Sequence, residues 1–317
     1  MTRPIAPTPP PLARWVSAEA GRLFAEQVVG AVAPVGDLDA TRAHYDAINR
    51  ARLDVALDAF PVEIERGTLG GVPVDTVIPR GGATSDVALL CLHGGAFMWG
   101  AGAGALIEAV PIAAITGYTV IAVDYRLAPE HLFPAAVDDV LACYSALLET
   151  RPATAIGVYG CSAGGMLGAQ LVARLIGDGT ALPGALVMLH ATGLELGGDS
   201  LALAATFNGV REEDIVPSLH SLPFLEATDP NDPLVFPGEH RDVLAAFPPS
   251  LLISGTRDFA AGSIATMHRR LIAAGASADL AMFDGMWHAH HVDTELPEAR
   301  ETFAIMARFF ARHVSRS

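Results

Sequence analysis

The sequence predicts an α/β fold, in which a mostly parallel sheet is covered by helices on both faces. Short apolar runs of strand length alternate with segments of helical period over most of the 317 residues. Strands that are separated by helices of this length are typical of parallel sheets, which are buried on both faces. The chain is 51% hydrophobic and 17% charged, so it can form one large core with a smaller addition.

Eight runs predict strands, and the first two, at residues 61–65 and 72–78, predict an antiparallel pair with a turn at Gly70 and Gly71. The remaining strands are expected at residues 87–92, 119–123, 155–159, 185–189, 250–253 and 278–283. Helical patterns separate or follow them at residues 105–115, 134–148, 166–176, 260–274 and 301–314. The expected product is an eight-stranded, mostly parallel sheet.

Two segments break this alternation and predict a helical cap. Residues 1–55 hold a proline-rich start and then helical periods at 18–29 and 38–58, before any strand. Residues 192–245 separate two strands by short apolar helical pieces and by turn residues. An interruption this long inside a compact domain is usually a lid or a binding element. We therefore predict a main domain at 56–317, with 192–245 as its inserted cap segment and 1–55 as the other part of the cap.

Composition excludes several classes of protein. A net charge of -15 disfavours nucleic acid, because phosphate backbones are bound by clustered Lys and Arg. The sequence contains no lysine, which excludes a P-loop lysine, a Schiff-base lysine and the S-x-x-K serine enzymes. The apolar runs are too short to span a bilayer, and the start lacks the apolar region of a signal peptide.

The three cysteines, Cys91, Cys143 and Cys161, lie in strand and helix patterns typical of a core. Buried thiols in a reducing compartment explain them better than a disulfide framework does. They form no cluster with metal-ligand spacing, so we expect no metal site and a cytoplasmic protein.

The segment between the fifth strand and its helix carries the clearest chemical pattern. It reads Gly160-Cys161-Ser162-Ala163-Gly164, which is G-x-S-x-G between a strand and a helix. Its glycines permit a turn too tight for side chains, and this turn exposes a serine that an adjacent base can activate. We predict that Ser162 is a nucleophile, whereas its plainer role would be to cap the helix.

Ligands of open α/β sheets bind at the carboxyl ends of the strands, where three more candidates fall. His93 begins the loop after 87–92, Asp258 follows 250–253 and His288 follows 278–283. The chain order Ser, Asp, His is that of an α/β-hydrolase triad, in which His288 would be the base and Asp258 would orient it. The rival acids are Asp232 and Asp284, and the rival bases are His290 and His291.

These residues resemble the hormone-sensitive-lipase-like esterases, bacterial lipolytic family IV, of the α/β-hydrolase fold. The matching stretches are His93-Gly94-Gly95-Ala96-Phe97, Asp124-Tyr125-Arg126-Leu127-Ala128-Pro129-Glu130, Phe133-Pro134-Ala135-Ala136, Gly160-Cys161-Ser162-Ala163-Gly164-Gly165 and Gly285-Met286-Trp287-His288. The resemblance covers the chain from about residue 60 to its end. The run Y-R-L-A-P-E is its most specific part, because other hydrolases share the serine turn but lack that run.

The resemblance implies an oxyanion hole made by backbone N–H groups of Gly95, Ala96 and Ala163, with Gly94 allowing the loop to turn. His93 would brace this loop. Ala96 replaces the third glycine of the family, so the loop is strained if the φ angle of Ala96 is positive. Cys161 replaces the usual Asp or Thr; one residue before the nucleophile, its side chain should point away from the substrate, so we expect a small buried hydrophobe. A cysteine nucleophile, as in dienelactone hydrolases, would stand at 162.

The resemblance also implies a serine carboxylesterase that acts on small esters with short to medium acyl chains and uses no cofactor. Phe97, Trp99 and Trp287 are candidates for the pocket, although ordinary partly buried aromatics are as good an explanation for the tryptophans. An arylformamidase or other amidase, or a lactonase, is an enzymatic alternative. A non-catalytic receptor of the gibberellin-receptor type is another, which the presence of His288 disfavours. The family often dimerises through its last strand and helix, and the segment 301–314 is compatible with a homodimer.

Overall fold

The computed structural model describes residues 6–31, 37–212, 215 and 218–315. The predicted cap segments 1–55 and 192–245 therefore include residues 1–5, 32–36, 213, 214, 216 and 217, which lie outside the described part. The remainder of both segments is described.

A single eight-stranded sheet organises the described residues. Its strands are β1 (Val62–Leu69), β2 (Val72–Pro79), β3 (Ala88–Leu92), β4 (Thr119–Val123), β5 (Ile156–Cys161), β6 (Ala185–Leu189), β7 (Ser250–Gly255) and β8 (Ala278–Phe283). The spatial order is β1-β2-β4-β3-β5-β6-β7-β8. The β1–β2 and β2–β4 pairs are antiparallel, and all other pairs are parallel. This confirms the predicted fold class and sheet.

The first hairpin is longer than the sequence predicts. The strand β1 was expected at 61–65 and runs to Leu69, because its register with β2 continues to the pair Leu69 and Val72. Most of its side chains are exposed, so hydrophobic alternation fades before the strand ends. The turn at Gly70 and Gly71 is where the sequence places it, and both residues have positive φ.

Helices cover both faces of the sheet. They are α1 (Ala18–Leu23), α2 (Leu38–Ala59), α3 (Ala103–Thr116), α4 (Ala135–Leu148), α5 (Ala163–Asp178), α6 (Asp199–Asn208), α7 (Arg241–Ala245), α8 (Ala261–Ala274) and α9 (Pro297–His313). Side chains of α3 and α9 pack into one apolar core, and those of α4, α5 and α8 pack into the core on the opposite face. A π-helical turn, Phe24–Val28, continues α1.

The two predicted cap segments contact each other and the main domain. The N–H of Gly30 donates to the carbonyl of Asn208 at the end of α6, at 3.3 Å. The guanidinium of Arg257, which follows β7, lies over the ring of Phe24 at 4.6 Å and donates to the carbonyl of Phe207. Within the described residues, no helix combines the length and the apolar character that crossing a bilayer requires.

Candidate active site

The turn between β5 and α5 exposes Ser162. Its φ is 54°, a value that is uncommon for residues with a side chain, and its N–H donates to the carbonyl of Leu189 on β6 at 2.8 Å. A Cβ at Gly164 would lie 1.8 Å from the carbonyl oxygen of Leu92, so only glycine lets α5 pass so close to β3. The tight crossing therefore fixes the position of the serine at the carboxyl edge of the sheet.

The structure brings Ser162, His288 and Asp258 into one hydrogen-bonded chain. The Oγ of Ser162 lies 3.0 Å from Nε2 of His288, and Nδ1 of His288 lies 2.8 Å from Oδ1 of Asp258. Asp258 is completely buried, and the His288 ring stacks on Phe259 at 4.4 Å between centroids. With Nδ1–H donating to the carboxylate, the lone pair of Nε2 faces the serine hydroxyl.

The environment of Asp258 keeps it ionised. Burial opposes ionisation, but the imidazoles of His288 and His190 outweigh it and hold the pKa of the Asp258 carboxyl well below its usual range. Hydrogen bonds from the Ser254 hydroxyl at 2.8 Å and the Ala260 N–H at 3.0 Å also reach this carboxylate. The buried acid is therefore a fixed negative charge beneath His288.

The rival acids and bases make no hydrogen bond to Ser162 and interact elsewhere in the described part of the chain. The carboxylate of Asp232 accepts the N–H of Leu234 at 2.8 Å, and that of Asp284 accepts the indole N–H of Trp15 at 2.8 Å. His290 hydrogen-bonds to His190 and Thr302. Within the described residues, neither ring nitrogen of His291 has a hydrogen-bond partner.

The loop after β3 presents free N–H groups beside Ser162. The φ angles of Gly95, Ala96 and Phe97 are 118°, 52° and 61°. No acceptor in the described part of the chain engages the N–H groups of Gly95, Ala96 or Ala163. The φ of Ala96 is positive, so this alanine is strained as the sequence analysis considered, at a cost of about 1 kcal/mol.

His93 and Gly94 fix this loop through contacts on the side away from the cavity. Nδ1 of His93 lies 2.7 Å from the carbonyl of Gly94, and the His93 ring stacks on Tyr125 at 4.2 Å. Burial lowers the pKa of His93 to about 4, so the ring is neutral at pH 7. The N–H of Gly94 donates to the Glu108 carboxyl at 3.1 Å and so points away from the cavity.

Glu108 is a buried acid that the sequence analysis missed. It lies on α3, and its Oε2 has no hydrogen-bond partner within the described residues. Burial raises the pKa of Glu108 to about 8, although the N–H groups of Gly94 and Cys161 favour its ionised form. Burial also raises the pKa of the Cys161 thiol well above its usual value. Cys161 is therefore a buried thiol that is protonated at neutral pH, as expected from its position before the serine.

An apolar cavity of about 70 Å³ opens at Ser162 and His288. Its apolar walls are Phe97, Met166, Leu196, Leu219, Leu222 and Phe259. Leu219 and Leu222 come from the inserted segment, where the carboxylate of Glu195 accepts the N–H groups of Leu219 at 2.6 Å and His220 at 2.9 Å. Glu195 thus fixes the loop that forms one wall.

Of the three predicted pocket aromatics, Phe97 lines the cavity, whereas Trp99 and Trp287 are not among its lining residues. Trp99 stacks on Tyr45 of α2 at 4.9 Å, and Trp287 packs on Phe24 at 5.7 Å. Both indoles therefore hold the N-terminal segment against the main domain. The partners Tyr45 and Phe24 are distant in sequence from the two tryptophans, so local sequence patterns did not predict these contacts.

His190 is a further residue that the sequence analysis missed. It is buried, it lines the cavity, and its Nδ1 lies 2.7 Å from Oδ2 of Asp258. The signal that could have found it is its position directly after β6, since polar residues at strand ends define the other members of the site.

Known proteins are similar to this chain in sequence and in fold. Residues 89–292 match the family model described as the alpha/beta hydrolase fold. LipR of Mycobacterium tuberculosis, which is named as an acetyl-hydrolase, is 30% identical over 80% of this chain and 82% of its own length. An esterase of Acinetobacter venetianus is 29% identical over 82% of this chain and 87% of its own length.

Solved structures agree with these relatives. The crystal structure of esterase E25 has a TM-score of 0.82 and 29% identity, and it covers 99% of both chains. An esterase of the bacterial hormone-sensitive lipase family has a TM-score of 0.79 and 28% identity, over 94% of this chain and 99% of its own. The sheet, the serine turn and these matches define an α/β hydrolase. Within that fold, the chain belongs to the hormone-sensitive-lipase-like carboxylic ester hydrolases.

Proposed function

We propose that this enzyme hydrolyses esters of short-chain carboxylic acids through an acyl-enzyme on Ser162. The observation that carries the proposal is the 3.0 Å contact between Ser162 Oγ and His288 Nε2 at the floor of the apolar cavity. A serine hydroxyl needs such a base to become a nucleophile. Two relatives are named as acetyl-hydrolases, and acetyl is a short acyl group.

The reaction has two halves. In the first, Ser162 Oγ attacks the ester carbonyl carbon while His288 Nε2 takes the hydroxyl proton, and Asp258 stabilises the resulting imidazolium. The negative oxygen is stabilised by the N–H groups of Gly95, Ala96 and Ala163. The bond to the alcohol oxygen then breaks, and His288 gives its proton to the departing alcohol.

In the second half, water takes the place of the alcohol. His288 removes a proton from the water, whose oxygen attacks the acyl carbon, and the same N–H groups stabilise the second oxyanion. The bond to Ser162 Oγ breaks, and the proton returns from His288 to the serine. The acid is released and the enzyme is regenerated, with no cofactor required.

A small cavity of about 70 Å³ with apolar walls supports a short acyl group, because such pockets bind ligands that fill them closely. Leu222 lines this cavity, so Leu222→Ala should enlarge it. Each accommodated methylene is worth about 0.8 kcal/mol, or roughly a fourfold change in kcat/KM.

We also propose that residues 1–55 and 192–245 together cap the catalytic domain at 56–317. The cavity walls from Leu219 and Leu222 and the bond between Gly30 and Asn208 support this division. The cytoplasmic location and the homodimer remain predictions.

The test is hydrolysis of p-nitrophenyl esters from acetate to decanoate by the wild type, Ser162→Ala and Cys161→Ala. We expect kcat/KM to be greatest for acetate to butyrate and to fall at octanoate. Ser162→Ala should lower kcat by about 10⁴-fold or more, whereas Cys161→Ala, which changes the adjacent residue, should retain activity. Activity near the wild-type level in Ser162→Ala would refute the mechanism, and a preference for decanoate or for N-formyl anilides would refute the substrate class.

A further inference from the structure

His190 stands behind the proposed triad in a strained position. It directly follows β6, its φ is 51°, and its N–H donates to the carbonyl of Ile253 on β7 at 2.7 Å. A positive φ is uncommon outside glycine, although histidine adopts it more often than most residues, and it persists where the surrounding structure imposes it. The side chain of His190 is completely buried.

The carboxylate of Asp258 has two imidazole partners, one on each oxygen. Oδ1 lies 2.8 Å from Nδ1 of His288, and Oδ2 lies 2.7 Å from Nδ1 of His190. The angle between the His190 and His288 rings is 67°, with 5.5 Å between their centroids. The acid is therefore held between two rings, of which only His288 reaches Ser162.

The hydrogen bonds fix which nitrogen of His190 carries its proton. The carboxylate of Asp258 only accepts, so Nδ1 of His190 must be the donor. Its Nε2 lies 3.1 Å from Nδ1 of His290, whose Nε2 lies 3.2 Å from the hydroxyl of Thr302. Burial lowers the pKa of His190, which favours the neutral ring, and its Nε2 then accepts from His290.

We propose that His190 is a positioning residue, whose Nδ1–H fixes the orientation of Asp258 and shares the charge of the carboxylate with His288. This inference rests on the proposed function, in which His288 is the base. A carboxylate that accepts N–H bonds from two imidazoles attracts each imidazole less strongly than it would attract a single one. His190 therefore limits how tightly the His288 imidazolium is held, and so favours return of the proton.

In the described part of the chain, no other titratable group near His190 donates to Oδ2 of Asp258, although the neutral hydroxyl of Ser254 reaches this oxygen at 2.8 Å. The titratable groups that face it are Asp258, His288, His290 and His291, whose ring stacks on it at 5.6 Å. Of these, His291 makes no hydrogen bond from its ring within the described residues. His291 is thus a matched control: a buried histidine in contact with the same ring, but without a bond to the acid.

Three variants separate charge sharing from packing. His190→Phe keeps a ring of similar size and removes the donor. His190→Asn keeps a donor, because its amide nitrogen lies as many bonds from the backbone as Nδ1 does, and Asn tolerates positive φ. His291→Phe replaces the neighbouring ring, which makes no hydrogen bond to Asp258. The measurement is the pH profile of kcat/KM for p-nitrophenyl acetate, together with the thermal midpoint of each variant.

We expect His190→Phe to move the acidic limb of the profile to higher pH, because Asp258 then holds the His288 proton more tightly. We also expect kcat/KM at its optimum to fall by about tenfold to a hundredfold, the effect of one lost hydrogen bond to a charged group. His190→Asn should restore the limb and most of the rate, and His291→Phe should leave the limb in place. An unmoved limb in His190→Phe, or equal losses in the Phe and Asn variants, would overturn the inference.

A second readout does not depend on activity. The proton NMR spectrum of Ser162→Ala should show two strongly deshielded imidazole N–H signals, one from His288 and one from His190. Adding His190→Phe or His190→Asn should remove one signal and retain the other. A single signal before that change would overturn the role of His190, whereas two signals in Ser162→Ala, together with no ester hydrolysis by the wild type, would contradict only the proposed function.

Discussion

Replacing Glu108 by glutamine should change how the stability of the protein depends on pH. The folded state raises the pKa of this buried carboxyl from 4.5 to about 8. The folded protein therefore keeps a proton that the unfolded chain releases above about pH 4.5, so rising pH favours the unfolded chain. The loss of stability begins near the unfolded pKa and ends near the folded pKa.

The magnitude follows from the size of the shift. Between these two pKa values, the free energy of unfolding falls by about 1.4 kcal/mol per pH unit. Glu108→Gln cannot release a proton, and its side-chain oxygen can still accept the N–H of Gly94. From about pH 5.5 to about pH 7.5, the variant should therefore gain about 2.7 kcal/mol relative to the wild type.

Urea unfolding at both pH values measures this change. The matched control is Glu63→Gln, since Glu63 is exposed on the edge strand β1. We expect the difference between Glu108→Gln and the wild type to grow with pH, and the difference between Glu63→Gln and the wild type to stay constant. If the free energy of unfolding of Glu108→Gln relative to the wild type is the same at both pH values, or falls as pH rises, then folding does not raise the pKa of Glu108.

Two further changes test the loops around the cavity. The Arg42 guanidinium donates to the carbonyls of Met98 and Ala128 and to the carboxylate of Glu130, so Arg42→Ala should lower the free energy of unfolding by about 1–3 kcal/mol. Urea denaturation measures this loss, and an unchanged midpoint would contradict it. Ala96→Gly should retain kcat because glycine adopts positive φ freely, whereas Ala96→Val should lower kcat by about tenfold or more, since a β-branched residue strongly disfavours that backbone. Equal kcat values for Gly and Val in p-nitrophenyl acetate assays would show that this backbone is not needed.

The sequence predicted the sheet and the contact between Ser162, His288 and Asp258 for the same physical reason. Apolar runs bury both faces of parallel strands, and the carboxyl ends of those strands meet at one edge. Residues that directly follow strands therefore come together although they are distant in sequence. The same reasoning applied to β6 would have added His190.

Other features depend on packing between distant segments, which local patterns do not encode. The positive φ of Ala96 follows from the closed path of its loop. The stacking of Trp99 on Tyr45 depends on how α2 crosses the main domain. The cavity walls at Leu219 and Leu222 come from an insertion whose described residues form no strand, so no sheet register indicates where these side chains point.

Active-site titration with diethyl p-nitrophenyl phosphate tests whether Ser162 is an activated nucleophile, because this reagent phosphorylates an activated serine and releases nitrophenol. We expect one equivalent of nitrophenol per chain, parallel loss of esterase activity, and peptide mass mapping that places the diethylphosphoryl group on Ser162. His288→Ala should greatly slow the labelling, because the hydroxyl then lacks its base. Stoichiometric labelling of any other residue, or full inactivation without modification of Ser162, would show that Ser162 is not the nucleophile.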